Sequence, residues 1–366
     1  MQIIKTEIYR FSIPMEPFAI ATGIMDYAQN TLIKIYTDSG LIGIGECSAF
    51  PMIVGETQET CLVLARDFAK IWKGKNPLAL EERLAELDGY IARNTTIKSA
   101  FDMALYDIAA KHANQPLYRF LGGTPKPIES DITVGIGTPE GMATKASSFK
   151  QNGASVIKVK LGKKPEEDVD RIAAIRNAIG MDIALRIDAN QGWSYADAII
   201  ALRGLEKYEI QFCEQPMRTY NDYLLPRLLE ETSIPIMADE SCYDHHDAER
   251  LIANESCDSI NIKLAKSGGL REALRIHEVA SAHKIPCMIG GMLESRVALT
   301  AKVHFAYACP GVIYYDMDTC LIGHLQDPVI GGVQFKGYHV SIPEDAIGIG
   351  VDVEGNFLSA CERWEI

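Results

Sequence analysis

The chain has 366 residues, 47% of them hydrophobic, and a formal net charge of -13 from 36 basic and 49 acidic side chains. That length calls for one large barrel or two domains, and the acidic balance argues against nucleic acid, which needs a net basic surface. No run reaches the roughly 18 apolar residues of a membrane span, the start MQIIKTEIYRFSIPMEPF is not a secretory leader, and nine cysteines without a CxxC pair suit reduced thiols in a cytoplasm.

Residues 1–125 read as an α+β capping domain: strands IIKTEIYRFSI and NTLIKIYTDSGLIGIGE, the latter turning at Asp38-Ser39-Gly40, then helices through TIKSAFDMALYDIAAKHA. From about 126 a strand, a loop and an amphipathic helix recur. The strand cores are 131–137, 155–162, 183–190, 210–216, 234–241, 259–269, 285–292 and 311–318. The segment PEEDVDRIAAIRNAIG illustrates the helices, with Pro165 and acids in the first turn and Gly180 at the end. Eight such units predict an α/β protein with a closed (β/α)8, TIM-like barrel over 126–325. The Gly-rich strand-like segment 326–366 is expected to return to the capping domain.

The dinucleotide signatures fail: GIGTPE and GIGECS lack a third glycine, and no GxxxxGK[ST] occurs. The eight histidines form no metal pattern. What stands out is that Asp188, Glu214, Asp239 and Lys263 each fall at or just past a predicted strand end, at separations of 26, 25 and 24 residues. Barrel active sites occupy the C-terminal rim, so charges at one structural period converge on one pocket. Three adjacent carboxylates repel unless a cation neutralises them, and oxygen-only ligation selects a hard ion, Mg²⁺, with Mn²⁺ as a substitute.

In VIKVKLG, residues 156–162, Lys158 and Lys160 share one face of a strand. Either they reach out to water at the strand end, or they face the ion with Lys263 across the barrel. In the second case Lys158 disfavours the charged form of its neighbour Lys160. A base on each side of a carbon whose enolate charge a metal stabilises is the apparatus for racemisation or epimerisation α to a carboxylate.

At these residues the chain resembles the enolase superfamily, in its muconate-lactonising subgroup, and SAFDMALYDIAAKHANQPLYRFLGG (99–123) looks like the end of that superfamily's capping domain. The resemblance implies metal ligands at Asp188, Glu214 and Asp239, general bases at Lys160 and Lys263, and Lys158 assisting Lys160 and the substrate carboxylate. YYDMDT (314–319) resembles the motif by which dipeptide epimerases hold a substrate ammonium, here Asp316 and Asp318, and Thr133 matches a substrate-contact position. Epimerases acting on Ala-Glu place an arginine in the first capping-domain loop. Here PFAIATGIMDY (17–27) has Gly23 at that place, and no Lys or Arg lies between Arg10 and Lys34. The expectation is an apolar pocket lined by Ile20, Ile24 and Met25, and dipeptides with a hydrophobic C-terminal residue. The expected protein is thus a cytoplasmic homo-oligomer with a small dipeptide substrate. Rivals are an N-acylamino acid racemase or o-succinylbenzoate synthase on the same fold, a metal-free Schiff-base aldolase, and a non-catalytic ligand-binding barrel.

Overall fold

A computed structural model describes residues 1–366. The chain opens with three antiparallel strands, β1 (Ile3–Ile20), β2 (Gly23–Thr37) and β3 (Ile42–Ser48). Helices α1 (Pro51–Val54), α2 (Gln58–Trp72), α3 (Leu80–Tyr90), α4 (Thr95–His112) and α5 (Leu117–Phe120) follow. The last strand of the chain, β17 (Arg363–Glu365), pairs with β1, so this sheet runs β17-β1-β2-β3. Helix α4 is buried all round from Thr96 to Ala110. Glycine makes its approach to β3 tight: a Cβ at Gly43 or Gly45 would lie 2.2 Å from the Ala104 carbonyl or 1.9 Å from that of Ala100.

After β4 (Ile128–Glu129) comes the repeating part. Its parallel strands are β5 (Ile132–Val134), β6 (Val156–Lys160), β7 (Ala184–Asp188), β8 (Ile210–Glu214), β9 (Ile236–Ala238), β10 (Ser259–Ile262), β11 (Cys287–Ile289) and β12 (Val312–Tyr315), paired in chain order. Helices α6 (Pro139–Gln151), α7 (Pro165–Ile179), α8 (Tyr195–Leu205), α9 (Leu225–Glu230), α10 (His245–Ala253), α11 (Leu264–Ser267), α12 (Leu270–Ala282) and α13 (Arg296–Ala308) lie between them. Proline at the first turn of α6 and α7, and the side chains of Thr138, Ser194, Asp244 and Ser295 accepting backbone N–H bonds, start these helices, and α7 begins at Pro165 as the sequence predicts.

Two details differ from expectation. The sheet curls through eight strands, and between the last and the first the Asp131 N–H donates to the Tyr315 carbonyl at 3.1 Å in place of a strand ladder. After β12 the chain forms only the four-residue α14 (Thr319–Ile322) before β13 (Val329–Gly331), β14 (Gln334–Lys336), β15 (His339–Ser341), β16 (Val351–Val353) and α15 (Gly355–Ala360). The eighth helix of an ideal repeat is thereby reduced to one turn.

Segment 17–27, expected as a loop, is the far end of the β1–β2 hairpin, turning at Ala21 and Thr22. It reaches the barrel mouth: Ile136 N–H donates to the Ala19 carbonyl at 3.2 Å, Lys163 Nζ to that of Ala21 at 3.0 Å, and Glu16 N–H to that of Gly323 at 2.9 Å. Strand alternation then separates the three residues expected to line the pocket. Ile20 and Met25 are buried, whereas Ile24, on the opposite strand face from Met25, is 68% exposed.

Candidate active site

Alternation along the parallel strands sends two tiers of side chains into the barrel. In the lower tier Phe212, Met237 and Met288 form an apolar floor with Tyr314, and the Arg186 guanidinium stacks on Phe212 and Tyr314 at 5.3 and 5.1 Å. The upper tier carries the charges. Lys158 and Lys160 both point inward, which decides between the two sequence readings: Lys158 is fully buried and Lys160 is 8% exposed.

Asp188, Glu214 and Asp239 have no solvent exposure, and lysines link them in turn, Lys158 between Asp188 and Glu214 and Lys263 between Glu214 and Asp239. Lys160 Nζ donates to Asp188 Oδ2 at 2.6 Å, and across the barrel Lys263 Nζ donates to Asp239 Oδ2 at 2.8 Å and lies 3.8 Å from Glu214 Oε1. Lys158 Nζ lies 2.6 Å from Glu214 Oε2, 2.9 Å from Asp316 Oδ2 and 3.2 Å from Asp188 Oδ2. Asp188 Oδ2 is thus shared by the two lysines, and the ammonium of Lys158 is engaged by three carboxylates.

The supports around these groups are as specific. Asn261 Nδ2 donates to Glu214 Oε1 at 2.7 Å, and Asn190 N–H to Asp188 Oδ1 at 2.8 Å. Lys266, fully buried, lies 2.7 Å from Asp239 Oδ1 and donates to the carbonyls of Asp239, Cys242 and Asn261, so both oxygens of Asp239 face ammonium groups. Asn190 and Gln215, just past two of the carboxylates, hold left-handed φ values of 40° and 35°, and Gln215 Oε1 accepts from Asp239 N–H at 2.9 Å. Strained backbone of this kind persists where surrounding bonds over-determine it.

A second acidic group forms where β12 ends beside β5. One carboxylate oxygen from each of Asp131, Asp316 and Asp318 lies within 4.8 Å of the others, and all three residues are buried. Thr133 N–H donates to Asp318 Oδ2 at 2.7 Å, so Thr133 acts on this group by fixing an acid. Arg186 Nη1 donates to Asp131 Oδ2 at 2.8 Å.

Electrostatics follow from burial and charge count. Burial works against ionisation of Asp188, Asp239 and Asp316, but the adjacent lysines outweigh it and hold all three below the usual carboxylate range. Burial, reinforced by neighbouring carboxylates, pushes Glu214 up to about 7 and Glu240 to about 8. Lys158 and Lys263 are pressed down by burial, yet the carboxylates around them raise both above the ordinary lysine value.

Seven buried carboxylates (Asp131, Asp188, Glu214, Asp239, Glu240, Asp316, Asp318) meet five buried cations (Lys158, Lys160, Arg186, Lys263, Lys266). The acids outnumber the cations, and several of them are pushed up by burial beside one another, an arrangement that favours a further cation. Glu214 Oε2 and Asp239 Oδ1 lie against Lys158 and Lys266 without an aligned hydrogen bond, and the ligand atoms these acids offer are oxygens only, a set that fits Mg²⁺. Sequence reasoning missed Asp131, Glu240, Asn261 and Lys266. Alternation carried the signal for two of them, since Asp131 and Asn261 stand two residues before Thr133 and Lys263 on the same strand faces.

Residues 3–122 match the family model described as mandelate racemase / muconate lactonizing enzyme, N-terminal domain, and residues 141–356 the one described as enolase C-terminal domain-like. A D-Ala-D/L-Ala epimerase of Cytophaga hutchinsonii is 44% identical over 99% of each chain, and a hydrophobic dipeptide epimerase of Enterococcus faecalis is 37% identical over 92% of this chain and 95% of that one. The crystal structure of the dipeptide epimerase from Cytophaga hutchinsonii, complexed with Mg and D-Ala-L-Val, superposes with a TM-score of 0.98 over the whole of both chains at 44% identity. That of the Enterococcus faecalis dipeptide epimerase, complexed with Mg and L-Leu-L-Tyr, gives 0.93 at 37% identity over 96% of this chain and all of that one. With its barrel-rim carboxylates, facing lysines and capping sheet, this chain belongs to the enolase superfamily, in its mandelate racemase and muconate lactonizing enzyme branch.

Proposed function

We propose that this chain is a Mg²⁺-dependent dipeptide epimerase that inverts the α-carbon of the C-terminal residue, with a hydrophobic side chain preferred there. The observation that carries the reading is the pair Lys160 and Lys263. They come from opposite sides of the barrel and are bonded to different carboxylates of one cluster, Asp188 at 2.6 Å and Asp239 at 2.8 Å.

Asp188, Glu214 and Asp239 would hold Mg²⁺, which supplies electrostatic stabilisation of the negative charge that develops on the substrate carboxylate. One lysine enters neutral, takes the α-proton and becomes an ammonium. The other enters as an ammonium, delivers its proton to the opposite face and becomes neutral. Proton count and charge are conserved while the configuration inverts. Lys158 adds fixed positive charge beside the substrate carboxylate, and Asp316 and Asp318, the latter held by Thr133, take the N-terminal ammonium. Substrates without an ammonium leave those acids unanswered, which disfavours an N-acylamino acid racemase or o-succinylbenzoate synthase. A Schiff-base aldolase has no use for three carboxylates around its lysines.

The hydrophobic preference is supported at the hairpin tip, where a Cβ on Gly23 would lie 2.0 Å from Met52 Sδ. An apolar side chain occupies the space an arginine there would need. The related proteins named for D-Ala-D/L-Ala and hydrophobic dipeptides support the same class. We take 1–125 as the capping unit, 126–325 as the catalytic barrel and 326–366 as the returning segment. No helix is long and apolar enough to cross a membrane, and the nine cysteines are unpaired, which supports a reducing cytoplasm. A homo-oligomer is the expected assembly, to be read by light scattering.

Incubating the enzyme and Mg²⁺ with a dipeptide library in D₂O tests the reading. Free-amine dipeptides ending in apolar residues should gain one mass unit at the C-terminal α-carbon and yield the epimer. Absence of exchange with every free-amine dipeptide, with Mg²⁺ bound, overturns it.

A further inference from the structure

We propose that Asp131 is a third acid of the ammonium subsite, so that the site reads all three N–H groups of an unsubstituted N-terminal ammonium; this rests on the dipeptide reading above. Asp131 stands on the strand face shared with Thr133, and its carboxylate comes within 4.8 Å of those of Asp316 and Asp318. The three acids are unequally answered by the protein. Asp316 accepts from Lys158 at 2.9 Å, and Asp318 from Thr133 N–H at 2.7 Å. Asp131 accepts from Arg186 through Oδ2 alone, while its Oδ1 is buried with no hydrogen-bond partner.

A buried carboxylate oxygen without a donor is rare, because it forfeits the hydration it had in water. The donor that suits the site best is a cation, since three buried carboxylates within 4.8 Å of one another gain most from positive charge. Arg186 does not donate to Oδ1. It is committed to Asp131 Oδ2, to Gln211 Oε1 at 2.8 Å and to the Tyr315 carbonyl at 3.3 Å, with its face on two aromatic rings. That guanidinium also holds Asp131 through Oδ2, which leaves Oδ1 unanswered. A primary ammonium has one N–H for each of the three acids. An N-methylated amine has two, and an amide nitrogen carries no charge.

The test combines a protein change with a substrate change. Asp131→Asn should raise KM for a free-amine dipeptide roughly tenfold or more, the usual consequence of losing one charge-assisted hydrogen bond, while kcat moves little. Wild-type enzyme should lose a similar factor on methylation of the dipeptide amine, and Asp131→Asn should lose little more on that change. Arg186→Gln, which keeps the acid but loosens its hold, should raise KM less than Asp131→Asn and should keep the sensitivity to amine methylation, whereas a purely structural ion pair would make the two variants alike. Unchanged KM in Asp131→Asn, or wild-type indifference to N-methylation, overturns the proposal. So does a second Mg²⁺ bound by substrate-free wild type and lost in Asp131→Asn, which would assign the triad to a metal. If Asp131→Asn does not fold, the methylation series on wild type decides. Wild-type exchange with no dipeptide at all would instead overturn the underlying function.

Discussion

Lys158 Nζ lies 2.9 Å from Asp316 Oδ2 and 2.6 Å from Glu214 Oε2, so one buried ammonium joins the cluster read as the metal site to the cluster read as the ammonium subsite. Its role is fixed charge between the two ends of a substrate. Lys158→Met should lower kcat on the order of 10²- to 10³-fold, the scale of losing one preorganised electrostatic donor. Steady-state kinetics check this, with circular dichroism confirming the fold. A loss under about threefold would reduce Lys158 to a packing residue.

The two facing lysines give a stereochemical prediction. Lys160→Ala and Lys263→Ala should each abolish epimerisation, yet each should still exchange the α-proton of one epimer of the same dipeptide, and the two variants should favour opposite epimers. Proton NMR in D₂O from pure epimers reads this directly. If both variants exchange the same epimer, the lysines do not serve opposite faces.

Specificity turns on Gly23 and Met52. Gly23→Arg alone forces Met52 Sδ out of the position 2.0 Å from the new Cβ. The pair Gly23→Arg and Met52→Ala makes room for the guanidinium. The double variant should raise kcat/KM for dipeptides ending in Glu relative to those ending in Val by about 10- to 100-fold, as expected for a charge-assisted hydrogen bond of about 1.5–3 kcal/mol. Competition between the two dipeptides, followed by mass spectrometry in D₂O, measures the ratio.

Stability should show an acid limb set by His304, which joins α5, α13 and the C-terminal segment. Its Nδ1 accepts from Tyr118 N–H at 3.0 Å, so the neutral ring carries its proton on Nε2 and donates to the Ile349 carbonyl at 3.1 Å. Burial lowers its pKa from 6.5 to about 4. Because the folded value is depressed, the unfolded chain binds this proton first. The contribution is complete above pH 6.5 and is lost as pH falls toward 4, by on the order of 3 kcal/mol. Urea midpoints of wild type and His304→Gln should converge across that window as pH falls. A constant difference would remove His304 as the cause.

How much of this was legible in the sequence differs from residue to residue. The spacing of Asp188, Glu214, Asp239 and Lys263 was readable because a barrel repeats one structural period, and that period alone delivers side chains to a common rim. Alternation likewise put Lys158 and Lys160 on one face, though it left open whether that face met water or the interior. The strand flanking the hairpin turn at 21–22 was not legible, because Pro14, Pro17 and Gly23 read locally as turn chemistry. Its pairing is held by the barrel loops it touches.

By itself, then, the sequence determined the repeat, the charges at the strand ends and the absence of a basic side chain at the hairpin tip, all properties of order along the chain. Tertiary structure alone decided which acid answers which base: Lys158 to Glu214 and Asp316, Lys266 to Asp239, Arg186 to Asp131. Those pairings depend on strand register and barrel curvature, which bring together residues as far apart as Asp131 and Asp318. No local pattern encodes such a distance.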